Sequence, residues 1–161
     1  MTTAKGRLAG KPLPLIAADV LQAARLAATW SDVARRLAER FWPGPLSLVL
    51  PAAEGLPEEL TQGGSTVAVR VPGLRLAREL CSRAGPLIST SANRAGAPPP
   101  LTCAEAVAQV GTAADLALDG GPGSSSPSTL VDLVSGAPRL LREGAVPWAA
   151  IEALCAGRGI R

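Results

Sequence analysis

Apolar residues fall at helical spacing in several stretches of the chain. After Ser31, the residues Val33, Leu37 and Phe41 recur at i, i+4 and i+8, which is the period of one buried helix face. Ser31 is a suitable N-cap, and proline and glycine at residues 43–45 end the helix. Similar patterns predict helices at residues 19–28, 74–83, 102–110 and 148–155 and one turn near residues 58–60; Thr102 and Glu105 form a capping box, and Pro147 opens the last helix.

Short apolar runs bounded by proline and glycine predict strands between these helices. Because strands and helices intermix along the whole chain, we predict a mixed α/β fold with helices packed on a twisted open sheet. No linker divides the sequence, so residues 1–161 are expected to form a single domain. The predicted strands cover residues 46–50, 66–71, 86–89, 116–118, 129–133 and 139–141, and the last two form a hairpin around residues 135–137.

The composition excludes several kinds of chemistry. The chain contains no histidine, which excludes an imidazole base, a Ser-His triad and a histidine metal site. It contains no tyrosine and only 2% aromatic residues, which is too few to stack single-stranded bases. A net charge of +3 permits an anionic ligand but does not by itself indicate a nucleic acid.

The spacing of the cysteines and the hydropathy of the chain indicate the cellular compartment of the protein. Cys81, Cys103 and Cys155 lie far apart, which argues against a disulfide framework or a CxxC metal site and favours small buried apolar residues. No apolar run reaches the roughly 18 residues that span a bilayer. The first seven residues lack the apolar segment of a signal peptide. We therefore expect a cytoplasmic protein without a membrane partner.

The two lysines of the chain, Lys5 and Lys11, both lie close to its start, and all other basic residues are arginine. Lys5 and Arg7 flank a glycine, and with Lys11 they could bracket a polyphosphate, because a compact ammonium and a guanidinium contact phosphate differently. Solvated charges near a terminus are the competing interpretation.

Hydroxyl and amide side chains follow the strand predicted at residues 86–89. Ser89 and Ser91 alternate along the chain and can face one side, and Asn93 adds a donor and an acceptor. Open α/β sheets bind ligands beyond the carboxyl ends of their strands, which favours a ligand contact here. A helix cap or a Ser/Thr turn would explain the same residues.

Two other features could meet an anion. A glycine-rich segment at residues 120–123 leads to Ser128 and can present backbone N–H groups, although a flexible loop has the same composition. Arg70 and Arg142 lie on or beside apolar strands, where an unpaired charge is costly to bury. Each should therefore meet either an acidic partner, which is the commoner outcome, or an anionic ligand.

The order and spacing of these segments resemble the threonylcarbamoyladenylate synthase (YrdC-like) family across residues 5–150. The pair formed by the Lys-x-Arg and Ser-x-Asn motifs is the signature of that family. The motifs are Lys5-x-Arg7 with Lys11-Pro12-Leu13, Trp42-Pro43-Gly44-Pro45-Leu46, Val69-Arg70-Val71-Pro72, residues 86–93, residues 127–132 and Leu141-Arg142-x-Gly144-Ala145.

The resemblance implies a twisted sheet around a basic cavity that takes ATP, L-threonine and bicarbonate, with Mg²⁺ carried by ATP rather than held by protein ligands. It implies that catalysis is positioning and charge stabilisation without a catalytic side chain. It further implies tRNA modification, with tRNA or a downstream threonylcarbamoyl transferase complex as partners. The implied contacts are Lys5, Arg7, Ser91, Asn93 and Arg142 for ATP and its phosphates and Arg70, Ser89 and Ser128 for threonine, with Lys11 and Thr129 as further candidates.

The sequence departs from the family pattern in ways that keep other functions open. Family members carry a strand and a helix before Lys-x-Arg, whereas this chain starts four residues before Lys5. We therefore expect that segment to be absent, an uncovered sheet edge or apolar patch near it, and little activity without it. The alternatives are a non-catalytic nucleotide- or RNA-binding homologue and, less favoured, a carbamoyl-transfer domain of hydrogenase maturation.

Overall fold

The computed structural model describes residues 13–157 and divides the described chain into two compact units. The larger unit consists of residues 13–89 and 127–157, and the smaller one of residues 90–126. The expectation of a single domain stays a prediction. Lys5, Arg7 and Lys11, together with the expected sheet edge beside them, lie outside the described residues.

The larger unit is built on a six-stranded mixed sheet with the strand order β4-β1-β3-β2-β5-β6. Strands β1 and β3 are parallel, as are β2 and β5, and the remaining neighbours are antiparallel. This sheet confirms the predicted fold class, and β1 is an element that the sequence patterns did not predict. The strands are β1 (Pro14–Ile16), β2 (Leu46–Pro51), β3 (Thr66–Arg70), β4 (Leu87–Ile88), β5 (Thr129–Asp132) and β6 (Arg139–Arg142).

The helices largely follow the predicted pattern, with two differences at their starts and ends. The first predicted helix is shorter than expected, and Pro147 is the N-cap of the last helix rather than its first residue. Among residues 13–157, no helix is both long and apolar enough to cross a bilayer. The helices are α1 (Val20–Ala24), α2 (Asp32–Phe41), α3 (Glu58–Thr61), α4 (Arg75–Ala84), α5 (Cys103–Val110) and α6 (Trp148–Ala156), and a 3-10 turn covers Gly111–Ala113.

One face of the sheet forms the hydrophobic core. Alternate residues along each strand point to the same face, and the core-facing set is entirely apolar in β2 and β3. These side chains pack against buried residues of α1, α2 and α6. The core-facing residues of the sheet include Leu15, Leu46, Leu48, Leu50, Val67, Val69 and Val131.

Polar contacts fix the position of α2, the helix that leads into β2. The Ser31 hydroxyl accepts a hydrogen bond from the backbone N–H of Ala34 at 3.2 Å and caps the helix as predicted. Val33 and Leu37 are buried in the core. A guanidinium nitrogen of Arg36 donates to the carbonyl of Leu154 near the end of α6, which joins the two helices.

The smaller unit contains α5 and irregular segments. Thr102 caps α5 as predicted, with its hydroxyl accepting from the Glu105 N–H at 3.2 Å. The second half of the predicted capping box differs, because the Glu105 carboxylate accepts from the N–H of Leu101 at 2.7 Å, one residue before the N-cap. The strand predicted at residues 116–118 is wrong, because this segment is irregular. Leu116 is 74% exposed. A strand needs a neighbour to complete its ladder, and the described part of this unit contains none.

Replacing Ser31 by alanine tests the capping of α2. Ser31→Ala should lower the free energy of unfolding by about 1 kcal/mol, because the Ala34 N–H loses its acceptor. Ser31→Asp keeps an acceptor at the N-cap and should restore most of that loss. Urea unfolding followed by circular dichroism measures both variants. Equal destabilisation by alanine and aspartate would contradict the capping role.

Candidate active site

Four strands meet at one end of the sheet in the larger unit. Strand β3 ends there at Arg70 and β6 ends there at Arg142, while β2 and β5 begin there. The strand register agrees with this arrangement, because Leu46 of β2 pairs with Thr129 of β5, and Leu130 of β5 pairs with Arg142 of β6. This end of the sheet therefore gathers candidate residues from three separate motifs of the sequence.

The segment at residues 42–45 holds this end together. The N–H of Gly44 donates to the carbonyl of Val71 at 2.9 Å, just beyond β3, and the carbonyl of Pro45 accepts from the N–H of Thr129 at 2.9 Å. The indole N–H of the buried Trp42 donates to the Leu46 carbonyl at 2.7 Å. The Trp-Pro-Gly-Pro motif thus has a structural role, since it ties the start of β2 to both neighbouring strands.

The sheet face opposite the core carries the polar candidates. In the antiparallel β2–β3 ladder Leu48 lies across from Val69, so the next opposed pair is Ser47 and Arg70. Directly opposed residues share a face and have Cβ atoms about 5 Å apart. Because Val69 is fully buried in the core, Arg70 points to the other face, and Ser47 does so as well.

Ser128 is the centre of a polar network on that face. The Arg142 guanidinium donates to the Ser128 carbonyl from Nε at 3.2 Å and from Nη2 at 2.7 Å. Nη2 also lies 3.3 Å from the Ser128 hydroxyl. The hydroxyls of Ser47 and Ser128 lie 2.9 Å apart. Ser128 as a residue is half-buried.

Arg70 has no acidic partner among the described residues. Its Nε atom is buried without a hydrogen bond there, and burial lowers the pKa of this guanidinium. A charged group in that state is costly unless something else pairs with it. Of the two outcomes that the sequence left open, residues 13–157 do not supply the acidic partner, which leaves an anionic ligand as the favoured interpretation.

Thr129 has a structural role beside this network. Its fully buried hydroxyl donates to the carbonyl of Val146 at 2.6 Å and accepts from the N–H groups of Gly144 and Val146 at 2.9 and 3.1 Å. These contacts hold the turn after β6 against the start of β5. The substrate contact considered for Thr129 stays a prediction, although its hydroxyl already makes all the hydrogen bonds that a hydroxyl can make.

Ser89 lies beside the edge strand of the larger unit. Its backbone N–H donates to the carbonyl of Pro14 at 2.8 Å, which extends the pairing of β4 with β1, and its side chain is half-buried. Arg70 pairs with the other end of β1, at Ile16. The position of Ser89 thus follows from the edge pairing, and its contact with threonine stays a prediction.

The rest of the hydroxyl motif belongs to the smaller unit. The Asn93 side-chain amide donates to the Ala97 carbonyl at 2.6 Å and closes a turn, so part of its capacity is structural. Ser91 is exposed. The Thr90 hydroxyl is buried without a hydrogen-bond partner in the described chain, and sequence reasoning did not single it out. That all the candidates line one cavity stays a prediction.

The cysteines and acidic residues present no metal site within residues 13–157, where no group of three or more metal-binding side chains occurs. Cys81 is buried, and burial raises the pKa of its thiol, while Cys103 and Cys155 are half-buried. No disulfide joins these cysteines in the described structure.

Comparison with known proteins identifies the relatives of this chain. A family model for Sua5, YciO and YrdC proteins, described as "Telomere recombination", matches residues 1–144. The chain is 39% identical over 151 residues to a threonylcarbamoyl-AMP synthase of Pyrococcus abyssi, a match that covers 92% of this chain. It is 42% identical over 134 residues to a threonylcarbamoyl-AMP synthase of Thiobacillus denitrificans, covering 82% of this chain.

A solved structure agrees with the fold and gives the extent of the match. The crystal structure of Pyrococcus abyssi Sua5 complexed with L-threonine has a TM-score of 0.89 and 38% identity over 95% of this chain. The match covers 46% of that protein. Against the two sequence relatives, the chain spans 44% of the Pyrococcus protein and 71% of the Thiobacillus protein.

Removing the Thr129 hydroxyl tests the turn that closes this end of the sheet. Thr129→Val keeps the shape of the side chain but leaves the backbone groups of Gly144 and Val146 unpaired, and should cost about 3 kcal/mol of unfolding free energy. Thr129→Ser keeps the hydroxyl and should cost only about 1 kcal/mol for the lost methyl group. Urea unfolding gives both values, and a larger loss in the serine variant would contradict this role.

Proposed function

Because this chain belongs to the Sua5–YciO–YrdC family, we propose that it makes L-threonylcarbamoyladenylate from L-threonine, bicarbonate and ATP in the cytoplasm, for tRNA modification. One structural observation supports a threonine-binding site in this chain beyond its membership of the family. A half-buried arginine without an acidic partner in the described chain lies across from Ser47, whose hydroxyl contacts Ser128. That arrangement suits the carboxylate of an amino acid, which accepts hydrogen bonds from a guanidinium and from hydroxyls.

The proposed reaction asks the protein for positioning rather than for a catalytic side chain. The threonine amine takes up bicarbonate to give a carbamate and water, the carbamate oxygen attacks the α-phosphorus of ATP, and pyrophosphate leaves. Mg²⁺ arrives with ATP and offsets the phosphate charge. Each step needs aligned reactants and fixed positive charge, which account for large rate accelerations by themselves.

The roles proposed for the described residues follow their charge and position. Arg70 binds the threonine carboxylate, with Ser128 and Ser89 as hydroxyl contacts. Ser91, Asn93 and Arg142 contact the triphosphate. Arg142 donates to the Ser128 carbonyl from Nε and Nη2. Its third nitrogen, Nη1, would donate to a phosphate oxygen, so Arg142 would connect the threonine site with the ATP site.

Pyrophosphate release tests the reaction. The chain is incubated with ATP and Mg²⁺, and threonine and bicarbonate are each omitted in turn. We expect that pyrophosphate release requires both threonine and bicarbonate and that mass spectrometry detects a product with the mass of threonylcarbamoyl-AMP. If pyrophosphate release fails while ATP or RNA still binds, the chain is a non-catalytic binding homologue. tRNA and a downstream threonylcarbamoyl transferase complex remain proposed partners of the product.

Replacing Arg70 separates threonine binding from ATP binding. Arg70→Ala should raise the KM for threonine between about tenfold and a hundredfold, because a charge-assisted hydrogen bond is worth roughly 1.5–3 kcal/mol. The KM for ATP should change less than about twofold. Arg139→Ala is the matched control, since Arg139 is exposed and pairs with Asp132. An equal rise in both KM values for Arg70→Ala would contradict the proposed carboxylate contact.

A further inference from the structure

Ser47 is a polar residue inside an otherwise apolar strand. It lies between Leu46 and Leu48 in β2, and its side chain is only 7% exposed. No sequence motif points to it, and the family resemblance assigns it no role. A buried hydroxyl in such a strand is costly unless its proton has an acceptor. The partner of that hydroxyl is therefore informative.

Among residues 13–157, the recorded side-chain partner of Ser47 is the hydroxyl of Ser128 at 2.9 Å. A hydroxyl has one proton to donate and two lone pairs to accept. Either hydroxyl could donate in this pair, but only with Ser47 as the donor and Ser128 as the acceptor does the buried Ser47 proton meet an acceptor recorded in the described chain. The Nη2 group of Arg142, at 3.3 Å, donates to the same Ser128 oxygen.

This arrangement fixes what Ser128 can offer to a ligand. With one lone pair facing Ser47 and the other facing Arg142, the Ser128 hydroxyl has its own proton left to give. It must then act as a donor, which suits a carboxylate or phosphate oxygen and disfavours an ammonium or an N–H group. A hydroxyl without these two neighbours could rotate and serve either as donor or as acceptor.

We propose that Ser47 is a positioning residue that makes Ser128 an obligate hydrogen-bond donor to the carboxylate of the amino-acid substrate. The inference rests on the proposed function for its ligand. It assigns Ser47 an effect on substrate affinity that acts through the hydroxyl of Ser128. Arg70, on the opposed position of β3, supplies the charge, and Ser47 sets the direction of the neighbouring hydroxyl.

A pair of isosteric variants tests this role. Ser47→Thr keeps the hydroxyl donor, and threonine is favoured in strands. Ser47→Val introduces a β-branched side chain of nearly the same shape as threonine but without the hydroxyl. The KM for threonine and the KM for ATP are measured from pyrophosphate release, and the threonine Kd by calorimetry. We expect Ser47→Thr to stay within about threefold of the wild type and Ser47→Val to weaken threonine binding by about tenfold. Ser47→Val should leave the KM for ATP within about twofold of the wild-type value.

Adding Ser128→Ala distinguishes positioning from general damage. If Ser47 acts through the Ser128 hydroxyl, Ser47→Val should weaken threonine binding no further in the Ser128→Ala background, because neighbouring residues of one network are not additive. Urea unfolding of each variant shows whether it is folded. Equal threonine affinity in the threonine and valine variants, or full additivity with Ser128→Ala, would overturn the inference alone. A folded wild-type chain that neither binds nor uses threonine would overturn the proposed function and this inference with it.

Discussion

An arginine that ends a buried strand is the constraint on which the rest of the site depends. Arg70 follows Val67, Ala68 and Val69, all of them buried, so its backbone cannot leave the sheet. Its side chain points to the face opposite the core and loses much of its hydration there. Since arginine stays protonated under ordinary conditions, the charge needs a counter-charge. The described residues supply none, and a ligand with a carboxylate or phosphate would satisfy it.

One face of the sheet forms the hydrophobic core, and the other face carries the candidate binding residues. The core face is wholly apolar in β2 and β3 and packs on α1, α2 and α6, which fixes the strand positions. The opposite face carries Ser47, Arg70, Ser128 and Arg142, which would be costly in the core. The Trp42–Pro45 turn and the Thr129 hydroxyl close the same end of the sheet with backbone hydrogen bonds. Packing on one face thus preorganises the polar groups on the other.

Local signals in the sequence predicted local structure well. The caps at Ser31 and Thr102 depend on residues three positions away, and both were predicted correctly. The short first strand was missed because three residues around Leu15 are too few to show a period. The segment around Leu116 shows a strand-like apolar run, but strand formation requires a pairing partner that the sequence pattern cannot supply.

The site was harder to predict because its contacts are remote in sequence. Ser47 and Ser128 are 81 residues apart, and only the β2–β5 pairing brings their hydroxyls together. Arg70 was recognised as a candidate from its apolar surroundings, but whether an acidic side chain met it depended on the tertiary fold. The family resemblance supplied roles for individual residues, whereas the network that orients Ser128 follows from strand register.

The stability of an Arg70→Met variant tests the central claim most directly. Methionine fills similar space without a charge, so removing a half-buried guanidinium that has no acidic partner among residues 13–157 should raise the free energy of unfolding of the ligand-free protein by on the order of 1 kcal/mol. Added threonine should stabilise the wild type but not the Arg70→Met variant. Arg139→Met, which removes an exposed ion pair, should not raise the free energy of unfolding. A clear loss of stability in ligand-free Arg70→Met would contradict the account, because it would mean that Arg70 is paired within the protein and is not held for a ligand.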